Sequence, residues 1–290
     1  MKFLKIQSLY NNIDLTFNKK ITILSNSEVE LFFKILQDLE KIINLEDKLD
    51  NLFSFMNYLN SKSPFTIFLE FEKEDSLEII LKPGDSSIIF QATFSAMNYS
   101  INKLEKVTFF SISEFDAAVG IYGKKTLVGK IVDKVRNISL YQFSSQISPF
   151  FKTSESNFYS NSDKFPAWIF SKALEYQDIL ILFTQKMKEF IPDFCCMRFL
   201  KLSSLCKVME LKFEGSNKIP HYIRFDNLSV RVRHLFILVS LLLFSLDTLI
   251  LSYPETFLTN SDIDKLIELI KAREKQTIIF TNNEKFMNLD

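Results

Sequence analysis

The residues with chemical potential in this chain gather where apolar runs end. Asp247 to Asn260 reads DTLILSYPETFLTN, in which Leu249, Ile250 and Leu251 break into Ser252-Tyr253-Pro254-Glu255 and Leu258 follows. A short all-apolar run ahead of such a break predicts a buried parallel strand that opens into a loop at its C-terminal end. In a nucleotide-hydrolysing α/β domain, that strand end carries an Asp that binds Mg²⁺ through water and a Glu that orients the attacking water. Here those two places hold Ser252 and Tyr253.

A second such place lies near the N-terminus. Ile21-Thr22-Ile23-Leu24 is an apolar strand pattern that stops at Ser25-Asn26-Ser27. Val29, Phe32, Phe33, Leu36, Leu39 and Ile43 then recur at helical spacing, with Ser27 placed as an N-cap and Glu28 and Glu30 in the first turn. A strand, a short loop and a helix is the layout of a phosphate-binding loop, and such loops need glycine so that backbone N–H groups can converge on an anion. The chain has only five glycines, at 84, 120, 123, 129 and 215, where average usage of ~7% would give roughly 20. None lies near this loop.

The elements that must position these places follow in order. Residues 2–8 and 13–17 read as short strands ahead of 20–24, and the helical pattern continues through 45–61 up to Pro64. Alternating strands are expected at 65–72, 76–82, 87–94 and 104–112, an antiparallel β lobe inserted at about 65–112. A helix at 124–138 leads into a strand at 138–143. The Ser- and Asn-rich stretch 144–164 predicts a loop, with the strands on either side sharing one sheet. Helices at 165–176 and 177–191, a strand at 195–201, and a hairpin of 206–213 with about 220–225 come next. An apolar helix from Leu235 to Leu246 precedes the 249–251 strand. The helix Ser261 to Lys271, with Ile263, Leu266, Ile267 and Ile270, is the crossover to the strand Gln276 to Phe280, giving a βαβ unit.

With these elements placed, the chain resembles the predicted ATPases of the SMC/RecF/OLD class, an ABC-type group, in its short form without a long coiled coil. The octet Ser25 to Phe32, SNSEVELF, stands where the pattern is G-x-x-x-x-G-K-[ST]. Ser25 replaces the first Gly, Glu30 the second, Leu31 the Lys and Phe32 the Mg²⁺-holding hydroxyl. At ~5 Å and an effective dielectric of ~20, each of Glu28 and Glu30 would repel a phosphate charge by about 3 kcal/mol. Asn227 to Arg231, NLSVR, stands at the L-S-x-G signature; Leu228 and Ser229 match and Arg231 replaces the Gly. The segment SYPETFLTN stands at D-E-P-E-x-x-L-H-P, with Pro254, Glu255 and Leu258 matching. At the family's T-H-S, only Thr281 of Thr281-Asn282-Asn283 survives.

The resemblance implies a P-loop-NTPase-like α/β fold of the ABC head type: a single domain over 1–290, with a mixed sheet flanked by helices and the β lobe inserted. Ser25, Glu30, Leu31, Phe32, Arg231, Ser252, Tyr253 and Asn282 are its degenerate motif positions. From these departures the expectation is no ATP hydrolysis, no catalytic residue, no cofactor and no metal, with structural roles for Glu255 and Asp247 near the old site. The class works as head-to-head dimers, which implies a protein partner, as homodimer or heteromer through the head face. The expected role is a structural or regulatory subunit beside an active ATPase or nuclease effector, in anti-phage defence or DNA repair. A nucleotide-binding switch by an unorthodox route, or a nucleic-acid-binding module, is the alternative.

Composition bounds these readings. Lys+Arg and Asp+Glu are both 35, so no global field recruits nucleic acid or an anionic membrane. Arg231, Arg233 and His234 read as a solvated helix start, with a local anion or nucleic-acid patch as the alternative, and Lys19-Lys20 and Lys124-Lys125 read as plain surface. Apolar residues make up 47% of the chain, with 31 Phe, ample for a core and suggestive of a partner face. Cys195, Cys196 and Cys206 form no disulfide framework, and two histidines argue against a zinc site; a reducing cytoplasm fits. The N-terminus does not read as a signal peptide. The run Leu235 to Leu246 is shorter than the ~20 residues a membrane span requires.

Overall fold

The computed structural model describes residues 1, 3–7, 12–16, 20–24, 65–71, 75–83, 88–98, 103–111, 114–115, 117–118, 126–142, 150–152, 165–203, 206–215, 220–245 and 247–289. The octet positions Ser25, Glu30, Leu31 and Phe32, and the helices expected within 28–61, lie outside the described residues. The chain divides into two compact units, Met1–Lys20 with Ser27–Ile138 and Ile21–Asn26 with Ser139–Asp290.

Strands β1 (Phe3–Gln7) and β2 (Asn12–Thr16) open the first unit, and β3 (Ile21–Leu24) belongs to the second. The first unit continues with β4 (Phe65–Glu70), β5 (Ser76–Pro83), β6 (Ile88–Asn98) and β7 (Lys103–Phe109). Together these form a six-stranded antiparallel sheet of order β2-β1-β4-β5-β6-β7. The four strands expected between 65 and 112 are thus joined by β1 and β2, through the register Leu4↔Leu69. Side chains alternate as the pleat requires: Ile67, Leu69, Leu77, Ile79, Ala92 and Phe94 are buried. Helix α1 (Leu127–Arg136) covers the face with a stripe of Val128, Ile131, Val132 and Val135. Its N-cap is Thr126, which accepts from the Gly129 N–H at 3.1 Å. Lys134 pairs with Asp75 and stacks over Phe71.

In the second unit, β3, β8 (Ile138–Gln142), β13 (Thr248–Ser252) and β14 (Thr277–Phe280) form a sheet of order β3-β14-β13-β8. Both β3 and β13 run parallel to β14. Every residue of β13 and β14 is buried, as expected of a strand covered on both faces. The expected crossover is present as α5 (Asn260–Ala272), with Thr259 and Asp262 forming a reciprocal capping box.

Beside it, β9 (Phe150–Lys152), β10 (Phe194–Lys201), β11 (Cys206–Glu214) and β12 (Pro220–Arg224) make an antiparallel sheet. Two expectations are corrected here. Within the Ser/Asn-rich stretch, residues 150–152 are a strand: Phe150 and Phe151 pair with Val208 and Lys207 on β11, so a local apolar pair prevails over the surrounding serines. The strands flanking that stretch do not share a sheet either, since β8 joins the parallel sheet and β10 the antiparallel one.

Helices α2 (Phe165–Glu175), α3 (Gln177–Phe190) and α4 (Val230–Phe244) supply the core, and α6 (Glu284–Met287) is a single turn. Helix α4 is buried continuously from His234 to Leu242, which marks an interior helix. Among the described residues no helix is long and apolar enough to cross a membrane. Phe236 is the hub of the core: the rings of Phe183, Phe225, Phe194 and Phe165 lie 4.8, 5.7, 5.8 and 6.1 Å from its centroid, mostly edge-on.

Candidate functional site at the sheet end

The parallel register sets Leu24, Phe280 and Ser252 side by side. The ladder runs one residue further, with the Tyr253 N–H donating to the Phe280 carbonyl at 2.8 Å and the Thr281 N–H to the Leu24 carbonyl at 3.1 Å. The C-terminal ends of β3, β14 and β13 therefore meet at one edge, the place where open parallel sheets bind ligands. The motif positions Ser252, Tyr253, Thr281 and Asn282 are brought together there; Arg231 joins them through α4.

The loop after β13 is bent twice. Tyr253 has φ 48° and Phe257 φ 64°, left-handed values that cost a bulky residue about 1–3 kcal/mol each. Two tight turns contain them: the Thr256 N–H donates to the Tyr253 carbonyl at 3.1 Å and the Leu258 N–H to the Glu255 carbonyl at 3.0 Å. Glu255 crosses to the neighbouring strand end, where its Oε1 accepts from Thr281 Oγ1 at 2.7 Å and from the Asn282 N–H at 3.3 Å. Its Oε2 is buried without a hydrogen-bond partner among the described residues.

The first turn of α4 grips the same loop. Ser229 is the N-cap of α4, its hydroxyl accepting from the Val232 N–H. At the second position of the helix, Arg231 makes a two-pronged ion pair with Asp262, Nε to Oδ2 at 2.7 Å and Nη2 to Oδ1 at 2.6 Å. Burial pushes the Asp262 carboxyl up, but hydrogen bonds from Arg231 and Thr259, with the Arg231 charge, prevail and hold it below its ordinary value. The hydrogen bond to Asp262 raises Arg231 in turn.

Three residues on, His234 is fully buried between Tyr141 and the Pro254 carbonyl, at 2.8 Å from Nδ1 and 2.9 Å from Nε2. A carbonyl can only accept, so the neutral ring carries its proton on Nε2 and Nδ1 accepts from the Tyr141 hydroxyl. Burial lowers His234 to about 4, against the opposing pull of the Pro254 carbonyl, and raises Tyr141. The solvated helix start is corrected at His234, which is enclosed and neutral, and the alternative patch of Arg231, Arg233 and His234 loses two members, since the Arg231 guanidinium is committed to Asp262.

The placement of Asp247 is corrected as well. It precedes β13, about 17 Å of strand away from Glu255 by strand rise, and its carbonyl accepts from Arg273. Arg273 is buried at that opposite end, where Ser245, Gln276 and Thr277 also accept from it. Burial lowers its pKa to about 10.

The Mg²⁺–nucleotide pair of the ATPases this sequence resembles would need a carboxylate at the end of β13. Ser252 and Tyr253 supply none, and Glu255 turns its Oε1 to β14. The other half of such a site, the octet 25–32, lies outside the described residues. Sequence reading missed Tyr141 and Asp262, and it set His234 at a solvated helix start, whereas the ring is fully buried. The single signal available was His234, a lone imidazole at the head of an apolar helix.

No family model and no curated protein matches the sequence. Among solved structures, the chain is similar to an SMC head bound to the C-winged helix domain of ScpA: 11% identity, 99% of this chain and 91% of the other covered, TM-score 0.55. Also similar are an SMC head with an extended coiled coil bound to the C-terminal domain of ScpA from Pyrococcus furiosus (11% identity, 99% and 91% covered, TM-score 0.47) and an SMC head from Thermotoga maritima (10% identity, 99% and 91% covered, TM-score 0.38). The fold is therefore SMC-head-like: a mixed α/β chain with a parallel sheet, helices and antiparallel sheets. This corrects the expectation that the chain is no enzyme. SMC heads are ATPases, and nothing among the described residues shows this chain to be inactive.

Proposed function

We propose that this chain is a head-type subunit that works by pairing with a second protein through the sheet end, with a P-loop-NTPase core of the ABC type beneath that face. The partner is another copy or a different head or effector subunit, and the chain's role is to place and regulate it. The setting, anti-phage defence or DNA repair, is part of this reading. One observation carries it: the loops after β14 and β13 converge at a single sheet end next to the first turn of α4, on a chain that overlaps an SMC head along almost its whole length. The SMC head of that structure is itself bound to a partner protein.

The test is a photo-crosslinking residue placed at Asn282, which is exposed at the sheet end, in cells at native level. The expected product is one adduct of defined mass, either two copies or one copy with another polypeptide. Adducts forming at exposed Lys106 on the β lobe but not at Asn282 would overturn the reading. A nucleotide-operated switch is the second reading, favoured by the same fold. Thermal stabilisation by ATP with Mg²⁺, alongside measured ATP turnover, tests it.

A further inference from the structure

We propose that residues 253–259 form a strained latch, clamped at both ends by the first two turns of α4, which couples the start of that helix to the end of β14. Arg231 and His234 are three positions apart and so share one helix face. His234 holds the Pro254 carbonyl at the loop's beginning; Arg231 holds Asp262, which caps Thr259 at its end. Between these grips sit the left-handed Tyr253 and Phe257. Bulky residues stay in that region only where surrounding contacts over-determine them. The third grip, Glu255 on Thr281 and Asn282, carries the loop's position to the β14 end. A shift of α4's N-terminal end moves both ends of the loop at once, and the stored strain favours release over a graded adjustment, the behaviour of a two-state coupling element. The inference stands on this geometry alone and does not depend on the partner reading.

The amides inside the loop report its state. Thr256 and Leu258 are bonded within it, and Leu249, bonded to the Gln276 carbonyl at the other end of β13, is the control. In the full chain, Arg231→Met is expected to speed hydrogen exchange at Thr256 and Leu258 at least tenfold with Leu249 unchanged. Asn accepts left-handed backbone more readily than Phe. Phe257→Asn alone is therefore expected to slow exchange at those two amides several-fold, and combined with Arg231→Met to restore much of the protection. Equal acceleration at Leu249 in Arg231→Met would show general loosening and overturn the latch. So would Phe257→Asn that speeds exchange or leaves it unaltered, a test that holds even where Arg231→Met does not fold.

Discussion

His234 makes the fold sensitive to acid. It is neutral in the folded chain, with a pKa of about 4, and returns to its ordinary 6.5 when the chain unfolds. Between those values the unfolded state binds the extra proton, so this contribution is complete above pH 6.5 and disappears as pH falls towards 4. The gap corresponds to about 3 kcal/mol. Urea unfolding at pH 7.5 and 4.5 measures it, and His234→Gln, which can still bridge Tyr141 and Pro254, should remove this component of the pH dependence. A pH slope unchanged in that variant would reject the assignment. Tyr141→Phe deletes the donor to Nδ1 and leaves a buried acceptor unpaired, at an expected cost of about 1–3 kcal/mol in the same measurement at pH 7.5.

At the scale of elements, the junction of the loop with α5 concentrates several contributions on one carboxylate. Asp262 closes the capping box with Thr259 and takes both prongs of Arg231 while itself almost fully buried. Asp262→Ala should therefore cost about 2–4 kcal/mol, a cap and a pair of charge-assisted bonds together, read as a lowered midpoint in urea. An effect within 0.5 kcal/mol, the size expected of a surface change, would mean the pair is idle. These contacts show where sequence reading stops. The strands β3, β13 and β14 and helices α4 and α5 were legible, because apolar period and punctuation are local signals. Tyr141 and His234 are 93 residues apart and Arg231 and Asp262 are 31 apart, and nothing in the neighbourhood of either residue announces the other. Strand β9 was missed for a related reason: Phe150 and Phe151 form a strand only because β11 lies ready to pair with them. Asp247 was set near the site because closeness along the chain was read as closeness in space, whereas a strand carries its two ends apart.

For the whole molecule, the division into two units has consequences for unfolding. The first unit has its own buried face under α1, where the Phe94 ring stacks on Phe115 at 5.8 Å and meets Phe109 edge-on at 5.9 Å. The second is organised around Phe236, and the one tryptophan of the chain, Trp168, is buried in it. Tryptophan fluorescence therefore follows the second unit, while far-UV circular dichroism follows both. A core of its own is what allows a unit to unfold by itself. Phe94→Ala should empty space in the first unit and cost about 3–5 kcal/mol there. The expected result is early loss of part of the dichroism with the Trp168 midpoint unmoved, two transitions where a single cooperative domain gives one. The two probes falling together, both shifted by Phe94→Ala, would instead show that the two cores unfold as one cooperative body.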